Sequence, residues 1–232
     1  MIPAYLINLD REVERLNSSL AESRGLVCEI IRVSAVDLQS LPHASELFVS
    51  AGVRAAWLSH MKCFKLFLES GHPYALILED DFSINDVTMF NKELKKVMGS
   101  SADIVQLGFL RPGIDTRVKI TISNVEERVF RTILFISTWL KLNFSSRLRL
   151  KRLAGVPKGY VIDDFQPGAH CYLVSRRAAE IVLALNEPQF LSIDDFFTAF
   201  ARMRSLRFLR IKRSISGQKP FAAWKGDRFR SI

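Results

Sequence analysis

Three carboxylates in a row, Glu79-Asp80-Asp81, close an almost uninterrupted apolar run from Tyr74 to Leu78. A buried strand that ends on three acidic side chains is costly unless something offsets the charge. A divalent cation does this naturally, because Mg²⁺ and Mn²⁺ take hard oxygen ligands and commonly keep one or two carboxylates plus substrate phosphates. Side chains alternate along an extended segment, so Glu79 and Asp81 are expected to point the same way and to share one ion. Such an ion would bridge a diphosphate and act as a Lewis acid on the departing phosphate. A solvated turn or a helix N-cap accounts for acidic residues alone equally well. The abrupt step from Leu76-Ile77-Leu78 into Glu79 favours the cation.

Two more groups carry potential chemistry. Ile7-Asn8-Leu9-Asp10-Arg11, with Arg15 beyond, places polar and basic residues where a strand gives way to a helix. That is a setting for a nucleotide phosphate, although a capping Asp10 with two exposed arginines fits it as well. Leu58-Ser59-His60 lies within a helical apolar stripe, where the default for His60 is a core histidine with one satisfied nitrogen.

The elements that would position these residues read as a βαβα alternation. Strands are expected at Ala4 to Leu9, Cys28 to Val33, Tyr74 to Leu78 and Asp103 to Leu107. Helices are expected over Arg11 to Ser23 with Asp10 as N-cap and Gly25 as stop, over Val53 to Leu68, and over Asp86 to Met98. The later half adds strands at Val118 to Ile122, Ala169 to Val174 and Leu206 to Ile211, the last at a sheet edge. Its helices are Ser175 to Leu185 and Asp194 to Met203. The rhythm predicts an open, mostly parallel α/β sheet. Ligands of such sheets bind beyond the carboxyl ends of the strands, where Asn8, Asp10, Asp37 and residues 79–81 fall. One catalytic domain is expected over 1–213, with a nucleotide-binding half at 1–110 and an acceptor-side half at 111–213. The 214–232 tail has little periodicity.

The chain of 232 residues has 33 Lys plus Arg against 24 Asp plus Glu, a formal charge of +9 that favours anionic partners. Three scattered cysteines without a CxxC pair do not make a disulfide scaffold and suit a reducing compartment. The opening MIPAYLINLDRE lacks the basic n-region of a signal peptide, and no apolar stretch reaches the ~18 residues of a membrane span. The expected location is therefore cytoplasmic.

Taken in order, Ile7-Asn8-Leu9-Asp10-Arg11…Arg15, Ala35-Val36-Asp37, Leu58-Ser59-His60 and Leu76-Ile77-Leu78-Glu79-Asp80-Asp81 resemble glycosyltransferase family 25. That family holds bacterial lipopolysaccharide core glycosyltransferases and the collagen galactosyltransferases. Gly168-Ala169-His170-Cys171-Tyr172-Leu173-Val174-Ser175 and Ile193-Asp194-Asp195 continue the likeness. The resemblance implies a GT-A-type fold, a UDP-sugar donor, a divalent metal (Mn²⁺ or Mg²⁺), an inverting transfer of galactose or glucose, and a lipopolysaccharide core acceptor. It puts Glu79 and Asp81 at the metal, Asp80 beside the donor ribose or sugar, and Asn8, Asp10, Arg15 and Asp37 near the nucleotide. Ser59 and His60 would support the site floor or touch the donor. One departure stands out: members often carry Gly-Glu-(Ile/Val)-Gly-Cys before the Ser-His pair, and here Gly52-Val53-Arg54-Ala55-Ala56 lacks the acid.

An inverting transfer needs a base aimed at the acceptor hydroxyl. Asp194 or Asp195 is the candidate, with helix capping as the alternative role for each. Asp163-Asp164 is a competing pair that also reads as a surface turn. Between Arg128 and Arg152, basic residues interleave with apolar and aromatic ones and no acid intervenes. This composition suits docking on an anionic inner-membrane surface, or a buried helix with a charged rim. The cluster Arg202, Arg204, Arg207, Arg210, Lys212 and Arg213 could add to that surface or bind acceptor phosphates. A nucleic-acid binder explains the charge but not the acidic triplet, so no nucleic-acid partner is expected. A sugar nucleotidyltransferase would normally show a Gly-rich phosphate loop, and residues 7–15 contain no glycine. A catalytically dead binding module remains a third alternative.

Overall fold

Ile2–Asn8 form strand β1, buried along its whole length because neighbours cover both of its edges and both of its faces. Cys28–Ser34 (β2) and Tyr74–Glu79 (β3) flank it, both parallel to it. The structure is a computed structural model, and it describes residues 1–41, 50–110, 156–185, 191–203 and 206–219, with side chains at 202 and 203 excepted. Between the strands run helices α1 (Val13–Glu22) and α2 (Ala51–Glu69), with a 3₁₀ turn at Leu38–Ser40. Then follow β4 (Phe82–Ile84), α3 (Val87–Met98), β5 (Ile104–Gln106), β6 (Tyr160–Ile162) and β7 (Cys171–Ser175). Helices α4 (Arg176–Ala184) and α5 (Ile193–Met203) precede β8 (Phe208–Ile211) and β9 (Ser216–Gln218).

The main sheet has the order β2-β1-β3-β7-β5-β8-β6. Strands β1, β2, β3, β5 and β8 share one direction, and β7 and β6 oppose them. The expected mostly parallel α/β sheet is therefore present, with the antiparallel β7 inserted at its centre. The unbroken apolar runs of β1 and β3 follow from this layering. Tyr5, Ile7 and Ile77 pack on one face with α2, α4 and α5, while Ala4, Leu6, Leu76 and Leu78 pack on the other with α3. Strands buried on both faces lose the polar alternation of a half-exposed sheet.

Two helix starts match the sequence expectation, at Asp86 and Ser175, whereas α2 begins at Ala51, two residues before the expected Val53; each of the three has a side-chain cap worth ~1 kcal/mol. Ser50 accepts from Val53 N, Asp86 from Met89 N and Ser175 from Ala178 N. Asp10 does not cap α1. That helix begins at Val13 with no side-chain cap, because Leu9 to Glu12 close a turn first. The Asp10 carboxylate goes to Ser34 Oγ at 2.8 Å and to Arg32 instead. The strand expected at the sheet edge is interior, since β6 pairs with β8 on its outer side. Within the aperiodic end of the chain, β9 pairs with β4 and Ser216 bridges to Gly108, so this stretch is tied to the body of the fold. The expected strand at 118–122, the basic stretch at 128–152, and Arg204 lie outside the described residues. All three cysteines are free and buried.

Candidate active site

The registers that pair Asn8 with Ser34 and Ile7 with Glu79 bring the carboxyl ends of β1, β2 and β3 side by side. Asn8 joins them. Its buried amide donates to Asp80 Oδ2 at 2.7 Å and to Glu12 O at 3.1 Å, and its carbonyl accepts from Arg32 Nε at 3.2 Å. Arg15, one turn into α1, pairs with Asp80 and stands 3.7 Å from Asp81 Oδ2. Asp80 is only 6% exposed, and both of its carboxylate oxygens are engaged by Asn8 and Arg15. Its side chain thus ties β3 to β1 and α1.

Strand β3 ends at Glu79, and residues 80 and 81 form a turn. The three carboxylates consequently meet different surroundings. Burial raises the proton affinity of Asp81, the charges of Glu79 and Asp80 add to the effect, and Arg15 offsets part of it, leaving its carboxyl at about 7. One of its oxygens, Oδ1, is buried and has no hydrogen-bond partner among the described residues. Burial also lifts Asp80, against the pull of Asn8 and Arg15. For Glu79, burial acts upward but is outweighed by the hydrogen bond and charge of His60 and by His170 and Arg15, so this carboxyl is held below its ordinary range. The bond joins His60 Nε2 to Glu79 Oε1 at 3.2 Å, and the other imidazole nitrogen meets the Tyr172 hydroxyl at 2.9 Å. His60 is therefore a buried histidine with both nitrogens satisfied, and it also reaches the acidic strand end.

Ser59 works one residue earlier on α2. It accepts from Val36 N at 2.9 Å and donates to Ala55 O at 2.7 Å, which fixes the loop after β2. That loop presents Asp37, which caps the 3₁₀ turn through Gln39 N and pairs with Arg11. Asp10 nearby is 70% exposed at its side chain, and its hydrogen bonds from Ser34 and Arg32 hold it below the ordinary carboxylate range. Asp10 and Asp37 are thus set around the open ends of β1 and β2.

The two late aspartates separate cleanly. Asp195 is exposed and exchanges bonds with Ser192, which accepts from Asp195 N at 3.1 Å and donates to its carboxylate at 2.7 Å. This is a helix-capping arrangement at the start of α5. Asp194 turns inward instead. Its Oδ2 accepts from Gly168 N at 2.9 Å, the Ala169 backbone also acts on the carboxylate, and its Oδ1 is buried with no hydrogen-bond partner among the described residues. Burial raises its proton affinity, and the Glu79 charge adds to that. Asp194 and Glu79 line one cavity of about 210 Å³, together with Ser192, Gln218, Leu110 and Val53. Gln106 secures the Gly168 segment with bonds to Gln166 O at 2.7 Å and Gly168 O at 3.1 Å. Gly168 has φ 107°, and a Cβ at Gly108 would come within 2.5 Å of His170 Nε2. Glycine is required at both positions.

The competing pair is occupied elsewhere. Asp164 pairs with Arg210, whose guanidinium also lies 4.9 Å from the Phe109 ring centroid. Asp163 sits in a turn with φ 56°. Arg207 bonds Ser101, so two members of the basic cluster make contacts within the protein. Nothing local in the sequence marks Tyr172, Ser192 or Gln218 as neighbours of this site. Tyr172 was visible only as part of the Gly168 to Ser175 segment, and Gln218 reaches the cavity only through the pairing of β9. Among the described residues, no group of three or more His, Cys, Asp or Glu side chains is arranged to hold a metal ion, and no helix is long and apolar enough to cross a membrane.

No curated protein matches the chain. Solved structures similar to it include A197 from STIV, at TM-score 0.41 and 14% identity, covering 91% of this chain and 82% of that one. Another is a glycosyltransferase involved in glycosylation of the major capsid of PBCV-1, at TM-score 0.46 and 10% identity, covering 94% and 91%. A third is the galactosyltransferase LgtC in complex with donor and acceptor sugar analogs, at 0.39 and 10%, covering 98% and 90%. The family described as glycosyltransferase family 25 (LPS biosynthesis protein) matches residues 1–197, and the chain belongs to that family.

Proposed function

We propose that this glycosyltransferase moves a hexose, galactose or glucose, from a UDP-sugar to a hydroxyl of a lipopolysaccharide core, with inversion and with help from a divalent cation. The observation that carries the reading is the shared cavity of Asp194 and Glu79 at the carboxyl end of β3. Environments that move two carboxyls in opposite directions suit opposite roles. Asp194, with its raised proton affinity and unpartnered oxygen, takes the proton from the acceptor hydroxyl as that oxygen attacks the anomeric carbon. Glu79, held ionised by His60, faces the donor side. Asp10 and Asp37 would meet the nucleoside at the ends of β1 and β2. Arg15, held by Asp80, would supply positive charge to the diphosphate.

What supports a cation is that two neighbouring carboxylates, Asp80 and Asp81, share one arginine, and that a buried Asp81 oxygen has no hydrogen-bond partner among the described residues. Glu79 and Asp81 are the residues that would hold the ion, in the mode where two carboxylates share it with substrate phosphates. When bound, it would stabilise charge on the departing diphosphate. A panel of UDP-sugars with Mn²⁺, read as UDP release with and without a truncated lipopolysaccharide acceptor, tests the reading. One donor is expected to release UDP only with metal, and faster with acceptor. No release from any donor under any condition would overturn it.

We also propose that the 128–152 stretch docks the enzyme on the inner face of the cytoplasmic membrane, on the strength of its basic and aromatic composition. The protein is expected to sediment with anionic vesicles and not with neutral ones. Equal recovery with both would defeat the idea.

A further inference from the structure

Four polar side chains line the cavity: Glu79, Ser192, Asp194 and Gln218. The first three are engaged. Glu79 bonds His60, Asp194 accepts from Gly168 N, and the Ser192 hydroxyl donates to Asp195. The Gln218 amide makes no side-chain hydrogen bond among the described residues. Its backbone, by contrast, is pinned from both sides. Gln218 lies opposite Phe82 in the β4–β9 pair. Just after it, Lys219 N donates to Asp81 O at 2.6 Å. The Lys219 ammonium reaches Ser18 Oγ at 2.8 Å and Glu22 Oε2 at 2.9 Å on α1. Just before it, Ser216 bridges to Gly108, and Ile215 N donates to Leu107 O at 3.1 Å. An ordered strand thus holds a half-buried, unbonded amide at the cavity wall.

We propose that Gln218 is a specificity-determining residue for the donor: its amide donates to a hydroxyl of the transferred hexose, in the cavity that also holds Glu79 and Asp194. A sugar hydroxyl has one hydrogen to give and lone pairs to fill. An ionised carboxylate only accepts, so acids in the lining serve the hydrogen and leave the lone pairs unmet. Among the described side chains of the lining, Gln218 is the one with unbonded N–H groups. Val53, Leu110 and Ile193 make the remaining wall apolar, which suits the C–H face of a sugar ring. The bond from Lys219 N to Asp81 O sets Gln218 on the side of the leaving diphosphate, so its partner is the donor hexose rather than the acceptor. A site built around a hydroxyl rejects the analogue that lacks it, because its own polar groups are then left unpaired. The proposal rests on the reading of this cavity as the transfer site.

The test compares the full wild-type chain with Gln218→Met, which keeps the side-chain length and removes the amide, and with Gln218→Ala as a second variant. Calorimetry in Mn²⁺ measures the binding of UDP-galactose, UDP-glucose and UDP alone. UDP release with a truncated lipopolysaccharide acceptor gives kcat/KM for the better donor and for each of its monodeoxy analogues. Both variants are expected to lose about 10-fold in kcat/KM and in affinity for the UDP-sugar, with affinity for UDP unchanged. Loss of one particular hydroxyl should cost wild type about 100-fold but the variants only about 10-fold, the non-additivity that marks two groups in contact. Equal costs in all three proteins overturn the proposal. A raised KM for acceptor with unaltered UDP-sugar affinity also overturns it, because Gln218 would then serve the acceptor. Weakened binding of UDP itself does the same, because the residue would then be structural. In each of these cases a donor is still consumed, and the functional reading stands. If wild type consumes neither donor, that reading fails and the role of Gln218 falls with it.

Discussion

Asp194→Asn is expected to lower turnover by about 100-fold or more while the fold remains in place, because a positioned general base contributes on that scale. Asparagine retains a carbonyl oxygen to accept from Gly168 N, so the bond that seats the residue survives. Only the capacity to take a proton is lost. The raised proton affinity of Asp194, caused first by burial and then by the Glu79 charge, makes it a stronger base than an exposed aspartate. It also sets the sign of the pH dependence. As pH falls through the raised value, the base becomes protonated, so wild-type activity should fade on the acid side sooner than an ordinary aspartate would allow. The residual activity of the variant should lack that acid limb. Asp195→Asn is the control, since Asp195 is exposed and bonded to Ser192. Its turnover should stay within several-fold of wild type. Measuring kcat against pH for all three proteins, with circular dichroism to verify folding, decides the matter. Equal rates for Asp194→Asn and wild type would remove the proposed base.

The difference between these two adjacent aspartates also shows where sequence stops being informative. Both precede an apolar helix, and both are good capping residues. Only the three-dimensional position of the Gly168 turn, fixed by Gln106 some sixty residues earlier, gives Asp194 a partner inside the cavity. The longer strands and helices were readable because their signals are local, whereas the three-residue strands β4, β6 and β9 were not. Apolar runs mark strands buried on both faces, and Asp86 and Ser175 announce helix starts, while the Ser50 cap of α2 went unread and that helix starts two residues before the expected Val53. Strand order was not readable, because nothing in Cys171–Ser175 says that it will run antiparallel between β3 and β5. The simple alternation argument for Glu79 and Asp81 also has a limit, since the extended backbone gives way to a turn at residue 80. Histidine 60 illustrates both sides. Its place in an apolar stripe predicted a core residue with one satisfied nitrogen; it is buried as expected, but both nitrogens have partners. Its second bond, to Glu79, depends on how α2 lies across β3, which no local pattern encodes.

Asp81→Asn should separate function from stability. Turnover is expected to drop by about 100-fold or more, since removal of a cation ligand forfeits several kcal/mol of charge stabilisation on the leaving diphosphate. The metal-free variant should nevertheless be more heat-stable than wild type at neutral pH. Asp81 ionises near 7 in the fold, pushed there by burial and by Glu79 and Asp80. In the unfolded chain it would ionise near its ordinary value of 3.8. Between those values the native state holds a proton that the unfolded state has released, so wild-type stability declines as pH rises through that window. Asparagine has no such decline. The variant's advantage should therefore be absent below the ordinary aspartate range, grow across the window and level off above 7. Added Mn²⁺ should raise the melting temperature of wild type and leave the variant unmoved, because a ligand stabilises only the state that binds it. Thermal melts in EDTA and in Mn²⁺ at several pH values read both effects. A variant less stable than wild type in EDTA at neutral pH would mean that the carboxylate is structural. A sustained turnover rate would mean that the cation, if one is used, is held elsewhere. Improved stability with lost activity is the signature of a charge retained for chemistry at the expense of the fold.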